Sequence, residues 1–163
     1  MGSVLTADEL RRWAEASRTE GATIVLANGH FDLIHVGHLR YLEAAKKEGD
    51  LLVVGLNDDE SVARLKGNGR PIVPASERAE LLAGFAAVDC VTVFSGDAPI
   101  VLLQSLRPEV HCKGTDYGDP QGVPEYKIVQ AYGGRTAIVG DPKDHSTTDI
   151  LGKVQELVRL DQA

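Results

Sequence analysis

Five short apolar runs punctuate the chain: Thr23-Ile24-Val25-Leu26, Leu51-Leu52-Val53-Val54-Gly55-Leu56, Val91-Thr92-Val93-Phe94, Val110-His111-Cys112-Lys113 and Thr136-Ala137-Ile138-Val139. All are shorter than an ordinary helix and largely lack a polar face, so they read as strands buried on both sides. Between them the apolar residues change to helical spacing. Thr6-Ala7-Asp8-Glu9 matches a capping box ahead of Leu10, Trp13 and Ala14, which predicts a leading helix over 6–19 ending near Gly21. Leu39, Leu42 and Ala45 lie along one face of a second helix that stops at Gly49. Asn57 or Asp58 caps a short third helix, and Pro74-Ala75-Ser76-Glu77 leads into a fourth with Leu81, Leu82 and Phe85 inward. Asp97 is expected to cap a helix running through Leu106, a further helix spans Glu125 to Tyr132 before Gly133-Gly134, and Ser146 caps the last.

Strands alternating with helices predict a doubly wound α/β fold: a parallel five-stranded sheet with helices on both faces. In such a sheet ligands bind beyond the carboxyl ends of the strands, where strand order reverses. The loops after strands one, two, four and five hold most of the polar and glycine-rich signals, at that same end. The 163 residues point to one domain, with residues 1–22 as a leading helix and entry, and show no internal repeat.

Composition narrows the function classes. A formal net charge of −7 with no long basic run argues against a nucleic-acid surface. Cys90 and Cys112 are too few and too far apart for a disulfide framework or a CxxC metal site. Neither a signal peptide nor a membrane-length apolar segment is present, so the expected address is cytoplasmic.

The chemistry concentrates in Ala27-Asn28-Gly29-His30-Phe31-Asp32-Leu33-Ile34-His35-Val36-Gly37-His38, at a strand-to-helix junction. A helix start offers free N–H groups and the positive end of a dipole, both suited to phosphate. His35 and His38 are three apart, so both rings project from the same side of the first turn. There they can stabilise charge building on a five-coordinate phosphorus. Two other readings compete: a pair of helix-surface histidines, and a zinc site, which lacks an obvious third and fourth ligand and the His-Glu-x-x-His pattern. Asp32 can take a divalent ion, orient a neighbour or cap the helix. Lys66 and Arg70 flank glycines and can fold over polyphosphate oxygens, or form a solvated hairpin of charges. Arg78 is placed either in the same site or in a surface pair with Glu77 or Glu80. Lys113 ends a buried strand at the ligand edge. Ser146-Thr147-Thr148 opens the final helix as a second phosphate cradle, with Ser146 also available as its cap.

Gly29-His30-Phe31-Asp32-Leu33-Ile34-His35-Val36-Gly37-His38 resembles the Gly-x-Phe-Asp-x-x-His-x-Gly-His signature of the cytidylyltransferase-like nucleotidyltransferases, which have a Rossmann-like fold. Val54-Gly55-Leu56-Asn57, Leu65-Lys66-Gly67, Gly69-Arg70-Pro71-Ile72, Glu77-Arg78, Arg107-Pro108, Lys113-Gly114-Thr115-Asp116-Tyr117, Tyr132-Gly133-Gly134 and Ser146-Thr147-Thr148 extend the likeness over nearly the whole chain. Within the superfamily they resemble the adenylyltransferases that make ADP-heptose from ATP and a heptose 1-phosphate, in the form without a fused kinase. The resemblance implies an enzyme that works on ATP with Mg²⁺, releases pyrophosphate, serves a heptose-containing glycan such as lipopolysaccharide, and forms a homodimer. It assigns His35, His38 and Lys66 to catalysis. It assigns Asn28, Gly29, His30, Phe31, Asp32, Gly37, Arg78, Lys113, Gly114, Asp116, Ser146, Thr147 and Thr148 to the nucleotide and phosphates, with no residue reserved for a metal. His30 stands where the family more often has threonine or cysteine.

Three rivals are weighed against this reading. A glycerol-3-phosphate cytidylyltransferase would share the histidines and differ in base and acceptor. A class I aminoacyl-tRNA synthetase would need a longer chain and a Lys-Met-Ser-Lys-Ser segment. A non-catalytic nucleotide-binding module would have no need of both histidines.

Overall fold

A computed structural model describes residues 1–142 and 145–161. Its centre is a parallel six-stranded sheet in the order β1-β4-β3-β2-β5-β6. The strands are β1 (Ser3–Val4), β2 (Ile24–Gly29), β3 (Leu51–Asn57), β4 (Cys90–Phe94), β5 (Val110–Gly114) and β6 (Arg135–Val139). The doubly wound α/β fold therefore stands, with one strand more than expected. The extra strand is the two-residue β1, whose Ser3 and Val4 pair with Cys90 and Val91 at the sheet edge.

Alternating residues of the central strands supply two cores. Val25, Ala27, Leu52, Val54 and Leu56 face one layer, where Leu42 and Ala45 of α2 (Val36–Lys46) and Ala79 and Leu82 of α4 (Ala75–Ala83) pack. Ile24, Leu26 and Val53 face the other. There they meet Leu10 and Ala14 of α1 (Ala7–Thr19), Leu103 and Leu106 of α5 (Ile100–Leu106), and Val129 of α6 (Tyr126–Ala131). Burial on both faces explains why these strands read as apolar runs without alternation.

The helix starts mostly follow the sequence. Thr6 and Glu9 close a reciprocal capping box on α1, Asp58 caps α3 (Asp59–Lys66) through the Ser61 N–H, and Ser146 caps α7 (Thr147–Leu160) through the Asp149 N–H. Two expectations fail. Asp97 caps nothing: α5 starts after Pro99, and Asp97 pairs with Arg64 across 3.0 Å instead. Leu81 is 53% exposed, because the inward face of α4 is set by Arg78, Ala79 and Leu82.

From β2 the chain winds outward through β3 to β4, then returns to lay β5 and β6 on the other side of β2. Strand order reverses between β2 and β5, where Ala27 is in register with Cys112. The crevice beyond the carboxyl ends of these two strands is the place such sheets offer a ligand. Asn28 and Lys113, each one residue further along, look into it from the same face of the sheet.

Candidate active site

A cleft of about 730 Å³ opens at that switch point. Every site residue expected from the sequence lines it except Arg78. The floor is the turn from β2 into α2. Phe31 adopts a left-handed backbone (φ 44°), unusual for an aromatic residue, and buries its ring. That ring meets His38 edge-on with centroids 5.1 Å apart. His38 in turn stacks on His35 at 3.8 Å with 24° between the planes. The two imidazoles thus share one surface at the start of α2. His35 occupies the cap position without capping through its side chain, and the first turn carries no carboxylate to offset the helix dipole.

Glycine at 37 makes the stack possible: a Cβ there would lie 3.0 Å from His35 Nδ1. A Cβ at Gly29 would stand equally close to the Phe31 ring, at 3.0 Å from Cε2. Burial lowers the pKa of His35, the nearby His145 lowers it further, and Asp149 opposes both. Burial also lowers that of His30, helped by the positive charges of Lys66, Arg78 and Lys113 and opposed by Asp32. Both therefore favour the neutral imidazole near pH 7, and a neutral His35 brings no charge repulsion to the ring stacked on it.

Of the roles open to Asp32, the structure shows the orienting one. Oδ1 accepts from the Ile72 and Val73 N–H groups at 2.7 and 3.0 Å, and Oδ2 pairs with Arg70 at 3.1 Å. The carboxylate is 4% exposed and ties the loop after α3 to the cleft wall. It does not cap α2, whose cap position is His35.

Arg78 corrects the sequence reading. Its side chain is fully buried behind the cleft, with no group on the lining. Nε donates to the Val73 carbonyl at 2.8 Å, Nη1 donates to the His30 carbonyl, and Nη2 pairs with Asp59 at 2.6 Å. A guanidinium with its donors so directed joins α3, α4 and the His30 turn, and substrate does not reach it. Lys66, by contrast, is an exposed cation at the end of α3 on the cleft rim. The chain leaves it through Gly67 (φ 93°), a conformation that favours glycine.

On the β5 side, Lys113 is buried, and its pKa is lowered by that burial while Glu125 and Asp116 push it back up. Its Nζ lies 3.5 Å from Asn28 Oδ1, 3.7 Å from Glu125 Oε2 and 5.1 Å from the centre of the Tyr117 ring. His111, fully buried beneath, places Nε2 3.0 Å from the same Asn28 oxygen. Burial, with Lys113 nearby, pushes the His111 pKa down to about 3, so its ring is neutral. Asn28 Oδ1 therefore accepts from both Lys113 and the His111 N–H, which fixes the amide and leaves its NH₂ to the cleft. Glu125 and His111 escaped the sequence reading. Glu125 reads as an ordinary helix-start residue, and His111 as one more position in an apolar strand.

The last wall is the start of α7. Ser146 Oγ accepts from Asp149 N–H at 3.1 Å, so its capping role is realised, and Thr147 Oγ1 donates to the Leu33 carbonyl at 3.3 Å. That bond joins α7 to the His35 turn and turns both helix starts toward one volume. No cluster of three or more His, Cys, Asp or Glu side chains suited to a metal ion occurs among the described residues. No described helix is long and apolar enough to cross a membrane.

The cytidylyltransferase-like family model matches residues 26–154. The bifunctional protein HldE of Geobacter metallireducens is 46% identical over 147 residues, covering 90% of this chain and 30% of that protein. The protein of the same name from Pseudomonas aeruginosa PAO1 is 47% identical over 153 residues, 94% of this chain and 32% of its own length. The chain thus spans about a third of the length of these curated relatives. Among solved structures, a lipopolysaccharide core biosynthesis protein from Thermoplasma volcanium superposes with a TM-score of 0.61 at 28% identity, covering 73% of this chain and 95% of its own. With the stacked histidines, the glycine-relieved turn and the two helix starts placed as described, the chain belongs to the cytidylyltransferase-like family and is a nucleotidyltransferase.

Proposed function

We propose that this nucleotidyltransferase moves AMP from ATP to a heptose 1-phosphate, forming ADP-heptose and pyrophosphate. The observation that carries the transfer chemistry is the His35–His38 stack at the start of α2. A phosphate oxygen of the acceptor attacks the α-phosphorus, the bond to the bridging oxygen of pyrophosphate breaks, and the electron pair leaves with pyrophosphate. The acceptor phosphate is already ionised at neutral pH, so no general base is required. The work left to the protein is to hold the two phosphates in line and to meet charge on the five-coordinate phosphorus. The imidazole N–H groups of His35 and His38 and the free N–H groups of α2 supply that. Lys66 closes on the departing phosphates, and the start of α7 with Thr147 and Thr148 holds the triphosphate tail.

Mg²⁺ enters as part of the MgATP substrate. Among the described residues no cluster of three or more carboxylate, histidine or cysteine side chains is placed to hold it, and Mg²⁺ is commonly held through substrate phosphates with few protein ligands. A cytoplasmic address goes with this reading, because ATP is supplied there. The heptose assignment is supported by the Lys113-to-Tyr117 and Ser146-Thr147-Thr148 segments and by the likeness to a lipopolysaccharide core biosynthesis protein.

The test is pyrophosphate release with Mg²⁺, crossing ATP, CTP and GTP against both anomers of heptose 1-phosphate and against glycerol 3-phosphate. Release with ATP and a heptose 1-phosphate alone is the expected result. Release with CTP and glycerol 3-phosphate keeps the transfer mechanism and overturns the substrates.

A further inference from the structure

Glu125 is 4% exposed, yet it lines the cleft. Its Oε2 accepts no hydrogen bond from the described residues, and its ion-pair partner, Lys113 Nζ, stands 3.7 Å away, beyond hydrogen-bond length. A buried carboxylate oxygen without a donor is expensive, and folded proteins leave few of them. At a substrate cleft, such an atom marks a contact that the ligand completes.

The chemistry of the pair selects the ligand group. A carboxylate only accepts, so the ligand must donate. An ionised phosphate fails on that ground and is repelled by the charge as well. An alcohol succeeds twice: its hydrogen goes to Glu125, and its oxygen accepts from the Lys113 ammonium. Lys113 is held for this by Asn28 on one side and the Tyr117 ring 5.1 Å away on another. Adjacent hydroxyls on a sugar ring can occupy both members of the pair at once.

We propose that Glu125, with Lys113, is a specificity site that binds a sugar hydroxyl of a substrate. Two sources share that chemistry, the ribose of the nucleotide and the sugar of the acceptor. The inference rests on the proposed function for the second source only, since a nucleotide carries ribose whatever the acceptor is.

The experiment measures binding by calorimetry to wild type, Glu125→Gln and Glu125→Ala. The ligands are ATP, 2′-deoxy-ATP, 3′-deoxy-ATP, heptose 1-phosphate and its deoxy analogues, and a melting curve verifies that each variant is folded. A lost hydrogen bond to a charged group weakens binding roughly 10- to 100-fold. The expected result is a loss of that size for one hydroxyl-bearing ligand in Glu125→Ala, smaller in Glu125→Gln. The matching deoxy analogue binds wild type and variants alike. Discrimination lost among the nucleotides identifies the ribose, and discrimination lost among the sugar phosphates identifies the acceptor. If folded variants keep wild-type discrimination in both series, or weaken hydroxyl and deoxy ligands equally, the proposal is overturned. If wild type binds no heptose phosphate, the acceptor reading has failed by itself, and the ribose series alone decides Glu125.

Discussion

The rings of His35 and His38 lie face to face, centroids 3.8 Å apart, and the Phe31 ring meets His38 in a T-shaped contact with centroids 5.1 Å apart. Their stacking fixes both imidazoles before substrate arrives, and donors that need not reorganise are the effective ones in stabilising developing charge. A left-handed backbone at Phe31 is therefore part of the same device: it accompanies a buried ring that packs against the second histidine.

Replacing either histidine with alanine should lower kcat roughly 10²–10³-fold, the usual loss for one fixed donor. Both side chains sit at the cleft, outside the main core, so melting temperature should change little. Steady-state pyrophosphate release alongside a thermal melt is the measurement. A variant turning over near the wild-type rate would remove the stack from the mechanism.

Lys66 and Arg78 should separate cleanly, although both are cations near the same loop. Lys66 is exposed, so Lys66→Ala should leave the fold intact, a surface change within roughly 0.5 kcal/mol, while reducing kcat/KM for ATP. Arg78 is fully buried and joins three segments. Arg78→Ala strands the His30 and Val73 carbonyls and the Asp59 carboxylate, and should destabilise by roughly 3–5 kcal/mol. That corresponds to a fall on the order of 10 °C in Tm. Urea titrations beside nucleotide kinetics check both, and an Arg78→Ala protein with normal stability would contradict the bracing role.

These two cations also show what a sequence can and cannot display. Lys66 sits beside glycines and can be recognised by its local context. The direction of Arg78 depends on Asp59, Val73 and His30 meeting around it, which no local pattern encodes. The same limit hid Glu125, whose importance comes from Lys113 on another element. The central strands were legible because burial on both faces writes itself into composition, and the α2 turn because its glycines and histidines occur at fixed spacing. Strand β1 was not, since two exposed residues carry neither a period nor an apolar run. Leu81 was read inward by hydrophobicity alone, whereas the buried Arg78 fills that face of α4.

Stability should carry a signature of His111. Its pKa falls from 6.5 in the unfolded chain to about 3 in the fold, chiefly through burial. Below pH 6.5 the unfolded chain binds a proton that the folded one does not, so stability falls as pH falls. The contribution is complete above about pH 6.5 and is lost progressively toward pH 3. The slope is about 1.4 kcal/mol per pH unit inside that window. Between pH 6.5 and 5 the wild type should lose about 2 kcal/mol more than His111→Gln, which keeps a polar side chain but cannot titrate there. Parallel stability curves for the two proteins would mean that His111 protonates equally in both states.

Gly37 offers the sharpest separation of chemistry from stability. It lies in the first turn of α2 with an ordinary helical backbone, so alanine meets no conformational barrier and should raise helix propensity by up to about 1 kcal/mol. The added Cβ would nevertheless stand 3.0 Å from His35 Nδ1, while its distance to His145 Cβ, 3.6 Å, is ordinary contact. The His35 ring has to yield by a few tenths of an ångström, and with it the stack on His38. Misplacement by a whole ångström can cost about 10²-fold in rate, so a shift of this size should lower kcat roughly three- to tenfold. Gly37→Ala should therefore be as stable as wild type or more so, and slower. A stable variant at full speed would show that transfer tolerates displacement of His35, and would move the burden of charge stabilisation to His38 and the backbone of α2.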